Sequence, residues 1–251
     1  MRESSVIKTF SHTLSACCWV FFMQRVVLYG RQFLAELLNG AARRLRPVGP
    51  VPNLRGDREI EWSWILSHLD NGPGKALEVG VGASSLLSLT AAERGYQVLG
   101  IDIRHFERSF CWDRVTFRVG DILNSDLSPE SFDLVICCST IEHVGLAGRY
   151  GGAAVEFGDL EAMNTLWQIT KSGGKMLLTL PVGQDAVFAP LHRVYGRSRL
   201  SQILNVWTIV DEKYWAKLSG NSWEMVAADV ALAQVPSECY YALGCFALRK
   251  D

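Results

Sequence analysis

The sequence predicts an α/β protein with a Rossmann-like, doubly wound sheet that is mostly parallel and ends with a C-terminal antiparallel strand. Short apolar runs alternate with stretches of helical spacing, as in domains built from strand–helix units. The first strand runs into a bend that contains Gly80 and Gly82, where the missing side chains allow a sharp turn. We predict a domain of residues 53–251, preceded by an N-terminal helical extension with a Pro-rich linker, residues 1–52.

The predicted strands are apolar along their whole length, which is typical of parallel strands covered on both faces. A helix at 57–69 precedes them, because apolar residues recur there at helical spacing, at Ile60, Trp64, Ile65 and Leu69. The five strands are predicted near 75–79, 97–101, 115–118, 132–138 and 175–181, with Gly173 and Gly174 ending the helix before the last one. Two further strands, 205–210 and 242–248, form the expected antiparallel pair. Residues 221–231 are predicted as helix or loop.

The N-terminal extension combines apolar runs with basic side chains. Its apolar run at 14–23 is too short to cross a bilayer, and we predict a helix there that leads to a second helix at 31–45. Two interpretations of the arginines stay open. They are exposed to solvent on a helix packed against the domain, which we favour, or they contact anionic headgroups at a membrane surface.

Composition excludes some classes of function. The net charge of −1 argues against a dedicated nucleic-acid binder, although residues 1–56 hold eight Lys or Arg against Glu3 and Glu36. The seven cysteines form no C-x-x-C pair and no His/Cys ligand spacing, so we predict no metal. Reduced thiols indicate a cytoplasmic protein, membrane-associated if the basic extension binds headgroups.

The bend after the first strand, residues 75–87 (KALEVGVGASSLL), has the layout of a nucleotide-like cofactor site. Glu78 stands two positions before Gly80, and a helix pattern begins at Ser84, so that unpaired N–H groups face the bend. The dinucleotide fingerprint requires a third glycine where this chain has Ser85. An NAD(P)-dependent oxidoreductase therefore stays an alternative, disfavoured by Ser85 and by Glu78, whose carboxylate would repel a pyrophosphate.

Two more acids follow at predicted strand ends. Asp102 comes roughly 20 residues after the bend, as expected of a carboxylate that accepts both ribose hydroxyls. Asp121 follows the third strand. Ligands of open parallel sheets bind at the carboxyl ends of the strands, so we expect Glu78, Asp102 and Asp121 to meet along one rim.

Five segments, in this order, resemble class I S-adenosylmethionine-dependent methyltransferases of the type 11-like branch over residues 59–249. The first is Glu-x-Gly-x-Gly-x-Ser at 78–84; the others are QVLGID at 97–102, VTFRVGDI at 115–122, SFDLVICCSTIEH at 131–143 and GGKMLLTLP at 173–181. The resemblance implies S-adenosyl-L-methionine as cofactor. It implies that Glu78 and the loop hold the methionine end, Asp102 the ribose and Asp121 the adenine amino group. The implied cofactor-binding residues are Glu78, Gly80, Gly82, Ser84, Asp102, Ile103, Asp121, Ile122 and Ser139.

Candidate catalytic residues follow the fourth strand. The run Ile-Glu-His, which ends in Glu142 and His143, resembles the strand end of branches that methylate quinones and small molecules. His143 is either a general base or a structural hydrogen-bonding partner, and both interpretations stay open.

Two glycine-bounded loops form a second group of candidates. Gly-Arg-Tyr-Gly at 148–151 and His-Arg-Val-Tyr-Gly at 192–196 together resemble a methyltransferase-like domain family of unknown substrate. His192 is a candidate proton acceptor because its intrinsic pKa is near neutral. Arg149 and Arg193 are candidates to bind a carboxylate or phosphate of the substrate. Tyr150 and Tyr195 are candidates to line the substrate pocket. The alternative is that all of them brace the loops.

The resemblance implies methyl transfer to a small or medium-sized metabolite, with an oxygen acceptor preferred over nitrogen and a carbon acceptor left open. A non-catalytic relative that serves as a binding or partner subunit is the alternative. The motifs indicate neither the acceptor nor the oligomeric state.

Overall fold

The computed structural model describes residues 52–251, and the predicted helical extension lies outside them apart from Pro52. Five parallel strands form the centre of the sheet: β1 (Gly74–Val79), β2 (Tyr96–Asp102), β3 (Val115–Val119), β4 (Phe132–Cys138) and β5 (Thr170–Val182). A separate hairpin follows, made of β6 (Ala186–Phe188) and β7 (His192–Val194). Three strands joined by antiparallel pairing complete the sheet: β8 (Thr208–Ala216), β9 (Glu224–Val226) and β10 (Ala242–Arg249).

The eight strands lie side by side in the order β3-β2-β1-β4-β5-β10-β8-β9. Chain order therefore reverses between β1 and β4, which are parallel neighbours. At such a reversal the loops leave in opposite directions and open a crevice at the carboxyl ends of the strands. The predicted fold class, mostly parallel with a C-terminal antiparallel strand, is confirmed.

Helices cover both faces of the sheet. On one face lie α1 (Asp57–Ser67) and α2 (Leu86–Glu93), and on the other lie α3 (Gly158–Ile169), α4 (Arg197–Leu204) and α5 (Ala228–Leu232). In α1 the buried residues are Glu61, Trp64 and Ile65, spaced so that they share one face of a helix. A carboxylate thus falls on the buried face of α1. Among the described residues, no helix has the length and apolar content needed to cross a bilayer.

Three boundary predictions differ from the structure. The strand predicted at 205–210 begins only at Thr208. The reason is that Trp207 is buried in the turn after α4, where its backbone N–H donates to Leu204 O at 3.0 Å. Residues 221–231 contain the short strand β9 and most of α5. Gly173 and Gly174 lie inside β5, where Gly173 N donates to Lys250 O at 2.7 Å, and do not end a helix.

Candidate functional site

A cleft of about 300 Å³ opens at the carboxyl ends of β1, β2 and β4, and its size falls at the lower end of the range for small-molecule sites. The residues predicted to bind a cofactor all line it: Glu78, Gly80, Gly82, Ser84, Asp102, Ile103, Asp121, Ile122 and Ser139. The three predicted acids, far apart in sequence, therefore meet in one cavity.

The loop between β1 and α2 is packed tightly at one glycine and open at the next. A Cβ on Gly80, whose φ is +76°, would lie 2.1 Å from Thr140 Oγ1, so only glycine fits there. Gly82 has a φ of +61°, but a Cβ there would meet no atom within 4 Å. The loop is thus pressed onto the end of β4 while its next turn faces the cleft.

Arg108 supports this loop from behind. Its Nη2 donates to Gly82 O at 2.8 Å and its Nη1 to Ser85 Oγ at 3.0 Å. The guanidinium also lies 4.5 Å from the centroid of the Phe117 ring, within cation–π range. No motif pointed to Arg108, because the segment before β3 has no regular pattern.

Glu78 lies at the floor of the cleft beneath the first turn of α2. It is 4% exposed, and Ser88 Oγ donates a hydrogen bond to its Oε2. Burial raises the pKa of Glu78 to about 7, although the Ser88 hydrogen bond opposes the shift. The carboxyl is therefore divided between its neutral and charged forms near neutral pH.

The two other acids keep acceptor capacity for a ligand. Asp102 Oδ2 accepts from Gly82 N and Asp102 Oδ1 from Arg104 N, both at 2.8 Å. Asp121 Oδ1 accepts from Leu123 N at 3.0 Å. A carboxylate oxygen has more than one lone-pair site, so neither acid is saturated by its backbone donors.

Helix α1 also contributes to the cleft, through Arg58 and Trp62, which sequence reasoning missed. Between them Glu61 is buried and accepts hydrogen bonds from Arg58 Nη1 at 2.7 Å, from Thr179 Oγ1 at 2.8 Å and from Ser139 Oγ. Ser139, with a φ of +45°, therefore turns its hydroxyl toward Glu61. The sequence feature that could have revealed this contact of α1 with the cleft is Glu61, an acid on the same face of the helix as Trp64.

His143 lines the cleft and is held in one orientation. Its Nδ1 lies 2.6 Å from Leu191 O, so this nitrogen carries the proton and Nε2 keeps its lone pair. Burial lowers the pKa of His143 to about 4. Glu142 Oε1 lies 3.6 Å from His143 Nε2, too far for a hydrogen bond, and burial raises the pKa of Glu142 to about 8. Both side chains are neutral near pH 7.

The two glycine-bounded loops meet at the carbonyl of Leu191. Arg149 Nη1 donates to Leu191 O at 3.3 Å, beside the His143 hydrogen bond to the same atom. Tyr150 lines the cleft, with its ring centroid 4.9 Å from that of His143 and 4.4 Å from the Arg104 guanidinium carbon. Of the predicted substrate-binding residues, Tyr150 thus lines the cleft, whereas Arg149 is exposed and is not among the lining residues.

The remaining candidates, His192, Arg193 and Tyr195, are buried and are not among the residues that line the cleft. Arg193 Nη1 donates to Val144 O at 2.6 Å, and its Nε lies 3.8 Å from Asp159 Oδ1. Tyr195 pairs with β5 through its backbone. His192 packs against the rings of Phe188 and Tyr241, and its Nε2 has no hydrogen-bond partner among the described residues. The structure therefore keeps these three side chains out of the cleft, and that of Arg193 joins the loop to Val144 and Asp159.

The cleft carries no set of ligands typical of a metal. Within residues 52–251, no three His, Cys, Asp or Glu side chains are grouped as a metal site requires.

Comparisons with known proteins give a family and a fold. The profile of a family described as "Caenorhabditis protein of unknown function, DUF268" matches residues 113–240. A search of curated proteins found no match. The structure is similar to that of 1,6-didemethyltoxoflavin-N1-methyltransferase from Burkholderia thailandensis, with 14% identity, a TM-score of 0.51, and 78% of this chain and 82% of that chain covered.

Two further solved structures are similar to the same extent. For N-methyltransferase NodS from Bradyrhizobium japonicum WM9 the identity is 16% and the TM-score 0.52, with 78% of this chain and 90% of that chain covered. For a putative S-adenosylmethionine dependent methyltransferase from Listeria monocytogenes they are 13% and 0.52, with 76% and 96% covered. The chain therefore has the fold of the class I methyltransferases.

The two glycines of the loop should respond differently to alanine. Gly80→Ala combines a left-handed backbone with a clash against Thr140, and we expect it to lower the free energy of unfolding by at least about 2 kcal/mol. Gly82→Ala meets no atom, so its cost should stay near 1 kcal/mol. Urea denaturation measures both. Equal losses would show that the close approach at Gly80 is not what constrains the loop.

The imidazole of His143 should remain neutral far below its usual range. Histidine NMR titration of the full chain, with His143→Gln to assign the signal, should show the Nδ1–H tautomer and a pKa near 4. Because the shift lowers the pKa, the lone pair on Nε2 persists at pH 7 and is lost only as the pH falls toward that value. A pKa of about 6.5 would mean that the ring is solvated.

Proposed function

We propose that this chain, which belongs to the family described as "Caenorhabditis protein of unknown function, DUF268", is an S-adenosyl-L-methionine-dependent methyltransferase. Its proposed substrate is a small or medium-sized metabolite. The observation that carries the proposal is the meeting of Glu78, Asp102 and Asp121 in one cleft around the glycine loop. Two of the similar structures contain S-adenosylhomocysteine, which supports the same cofactor here.

The residues present fit an adenosyl group. Asp102 has a backbone donor on each oxygen and still has acceptor sites for two ribose hydroxyls. Asp121 Oδ2 has no hydrogen-bond partner among the described residues and can accept from the adenine amino group, beside the buried side chain of Ile122. Gly82 adds an open surface, because no atom occupies the space where its Cβ would be.

The residues near the glycine loop fit the amino-acid end of the same cofactor. Glu78 lines the cleft as a buried carboxyl, which attracts an ammonium group and repels a phosphate. The loop's own arginine, Arg108, is occupied by the carbonyl of Gly82. This arrangement favours a zwitterionic amino acid over the pyrophosphate of a nicotinamide cofactor, and thermal-shift screening with both cofactors separates the two.

S-adenosyl-L-methionine, when bound, supplies an electrophilic methyl group on sulfur. The chain's own task is to place the acceptor and, for a hydroxyl acceptor, to take its proton. His143 supplies a neutral imidazole at the cleft wall, with Nδ1–H fixed by Leu191 O and a free lone pair on Nε2. We assign proton removal to this nitrogen, which at a pKa near 4 is a weak base suited to a hydroxyl that is itself acidic, and on this ground we propose oxygen as the methylated atom.

Replacing Asp102 tests the proposal directly. Asp102→Ala removes the acceptor for the ribose hydroxyls and a hydrogen-bond acceptor for Gly82 N, so we expect cofactor affinity to fall by about 100-fold or more. Equilibrium dialysis with labelled S-adenosyl-L-methionine measures it, and Asp126→Ala, an exposed acid whose carboxylate is paired with Arg118, is the matched control. Unchanged binding in Asp102→Ala would contradict the assignment.

The affinity for S-adenosylhomocysteine should rise with pH. The raised pKa of Glu78, about 7, means that its carboxyl is mostly neutral at pH 6 and mostly charged at pH 8. Since the charged form attracts the ligand's ammonium, we expect affinity to increase by about tenfold over that interval. Isothermal titration calorimetry measures the change. Glu78→Gln should flatten it, and the same slope in Glu78→Gln would assign the pH dependence to another group.

A further inference from the structure

A second cavity, of about 80 Å³, lies beside the cleft at β2 and β3. It shares Val81, Asp102 and Arg104 with the cleft, whereas Arg108 and Arg118 line this cavity and not the cleft. A water molecule takes about 30 Å³ of the liquid, so the space suits a group of a few heavy atoms and is too small for a whole nucleotide.

The lining of this second cavity is cationic. It contains the guanidinium groups of Arg104, Arg108 and Arg118 together with the exposed side chain of His105. The lining holds one acid, Asp102, and each of its carboxylate oxygens already accepts a hydrogen bond from a backbone N–H at 2.8 Å. Three cations against one carboxylate favour an anionic ligand.

Arg108 is the arginine of this cavity whose hydrogen bonds are incomplete. Its Nη1 donates to Ser85 Oγ at 3.0 Å and its Nη2 to Gly82 O at 2.8 Å. Its Nε is buried and has no hydrogen-bond partner among the described residues. A buried donor without an acceptor costs about 1–3 kcal/mol, and such groups are rare in folded proteins. A ligand in the cavity that Arg108 lines would supply the missing acceptor.

The two other arginines also have N–H groups to offer. The Nε of Arg104 lies 3.5 Å from Asp102 Oδ1, and its guanidinium makes no hydrogen bond within residues 52–251. The Nη1 of Arg118 pairs with Asp126 at 2.8 Å, but the side chain of Asp126 is 83% exposed. Solvent weakens such an exposed ion pair, so an anion in the cavity can compete for Arg118.

Two phenylalanine rings hold these guanidinium groups in place. The guanidinium carbon of Arg104 lies 4.7 Å from the centroid of the Phe106 ring, and that of Arg108 lies 4.5 Å from the centroid of the Phe117 ring. Both distances are within cation–π range. Because a ring face uses none of the N–H donors, the side chains are ordered before a ligand arrives and lose little freedom when it binds.

We infer that this second cavity is a binding site for a phosphate group, either the free ion or the phosphate of a small molecule, held by Arg104, Arg108 and Arg118. A carboxylate is matched by one guanidinium fork, whereas the doubly charged, tetrahedral phosphate offers acceptors to several. The inference goes beyond the proposed function, since phosphate binding here does not require the cofactor.

Titration with two phosphates tests the inference. By isothermal titration calorimetry on the full chain, at constant ionic strength in chloride buffer, inorganic phosphate or phenyl phosphate should bind with a dissociation constant below about 1 mM. Arg118→Gln keeps the hydrogen bonds of the glycine loop and should weaken binding about tenfold or more. Arg108→Gln should do the same. Arg114→Gln, an exposed arginine of the same segment that does not line the cavity, is the matched control and should stay within about twofold.

The two ligands also separate the two sources of phosphate. Tighter binding of phenyl phosphate indicates the phosphate group of a metabolite, and tighter binding of inorganic phosphate indicates the free ion. No heat of binding for either ligand up to about 10 mM would overturn the inference. Wild-type affinity in Arg118→Gln, or an equal loss in Arg114→Gln, would overturn it as well, because the phosphate would then lie elsewhere on the basic surface.

A competition experiment distinguishes this cavity from the cleft. Saturating S-adenosylhomocysteine should change the phosphate affinity by no more than about threefold, because the ligand's adenosine brings no charge to the shared wall. Displacement of phosphate by S-adenosylhomocysteine would place the phosphate in the cleft and overturn the inference. If S-adenosylhomocysteine does not bind at all, the proposed function fails, and the phosphate titrations of the variants still decide the inference.

Discussion

The close approach of the glycine loop to the end of β4 is the constraint on which the site depends. Gly80 has no room for a side chain because Thr140 lies against it, and Thr140 Oγ1 in turn donates to Val79 O at 3.2 Å. This contact joins β1 and β4 where chain order reverses. It fixes the distance between the loop that starts α2 and the segment that carries Ser139 and His143. A larger residue at Gly80 would separate those two walls.

Three glutamates are buried around this junction, and they differ in the hydrogen-bond donors that their carboxyl groups meet. Glu61 is satisfied by hydrogen bonds from three side chains. Glu78 has Ser88 as its side-chain donor, and Glu142 Oε2 has no partner among the described residues. Burial raises the pKa of all three. Burying acids costs stability, so their concentration at one edge of the sheet indicates a site selected for ligand chemistry more than for stability of the fold.

Sequence reasoning reached the fold and brought the glycine loop and the three acids to one cleft, because both follow from strand ends. Apolar runs placed the parallel strands, and an acid after a strand necessarily lies at the rim where ligands bind. It did not reach Arg58 and Trp62, whose contact with the cleft depends on how α1 packs across the sheet. Sequence reasoning also did not predict which loop residues are exposed and which are buried. The motifs GRYG at 148–151 and HRVYG at 192–196 gave Arg149 and Arg193 the same predicted role, whereas packing leaves Arg149 exposed and buries Arg193 against Asp159.

The carbonyl of Leu191 receives hydrogen bonds from both His143 and Arg149. Two segments that leave different strands are thereby coupled through one oxygen atom, and neither can shift without disturbing the other. A replacement that shifts one segment is therefore expected to be accompanied by a replacement in the other, so paired substitutions, rather than single ones, are the expected mark of relatives whose cleft has a different shape.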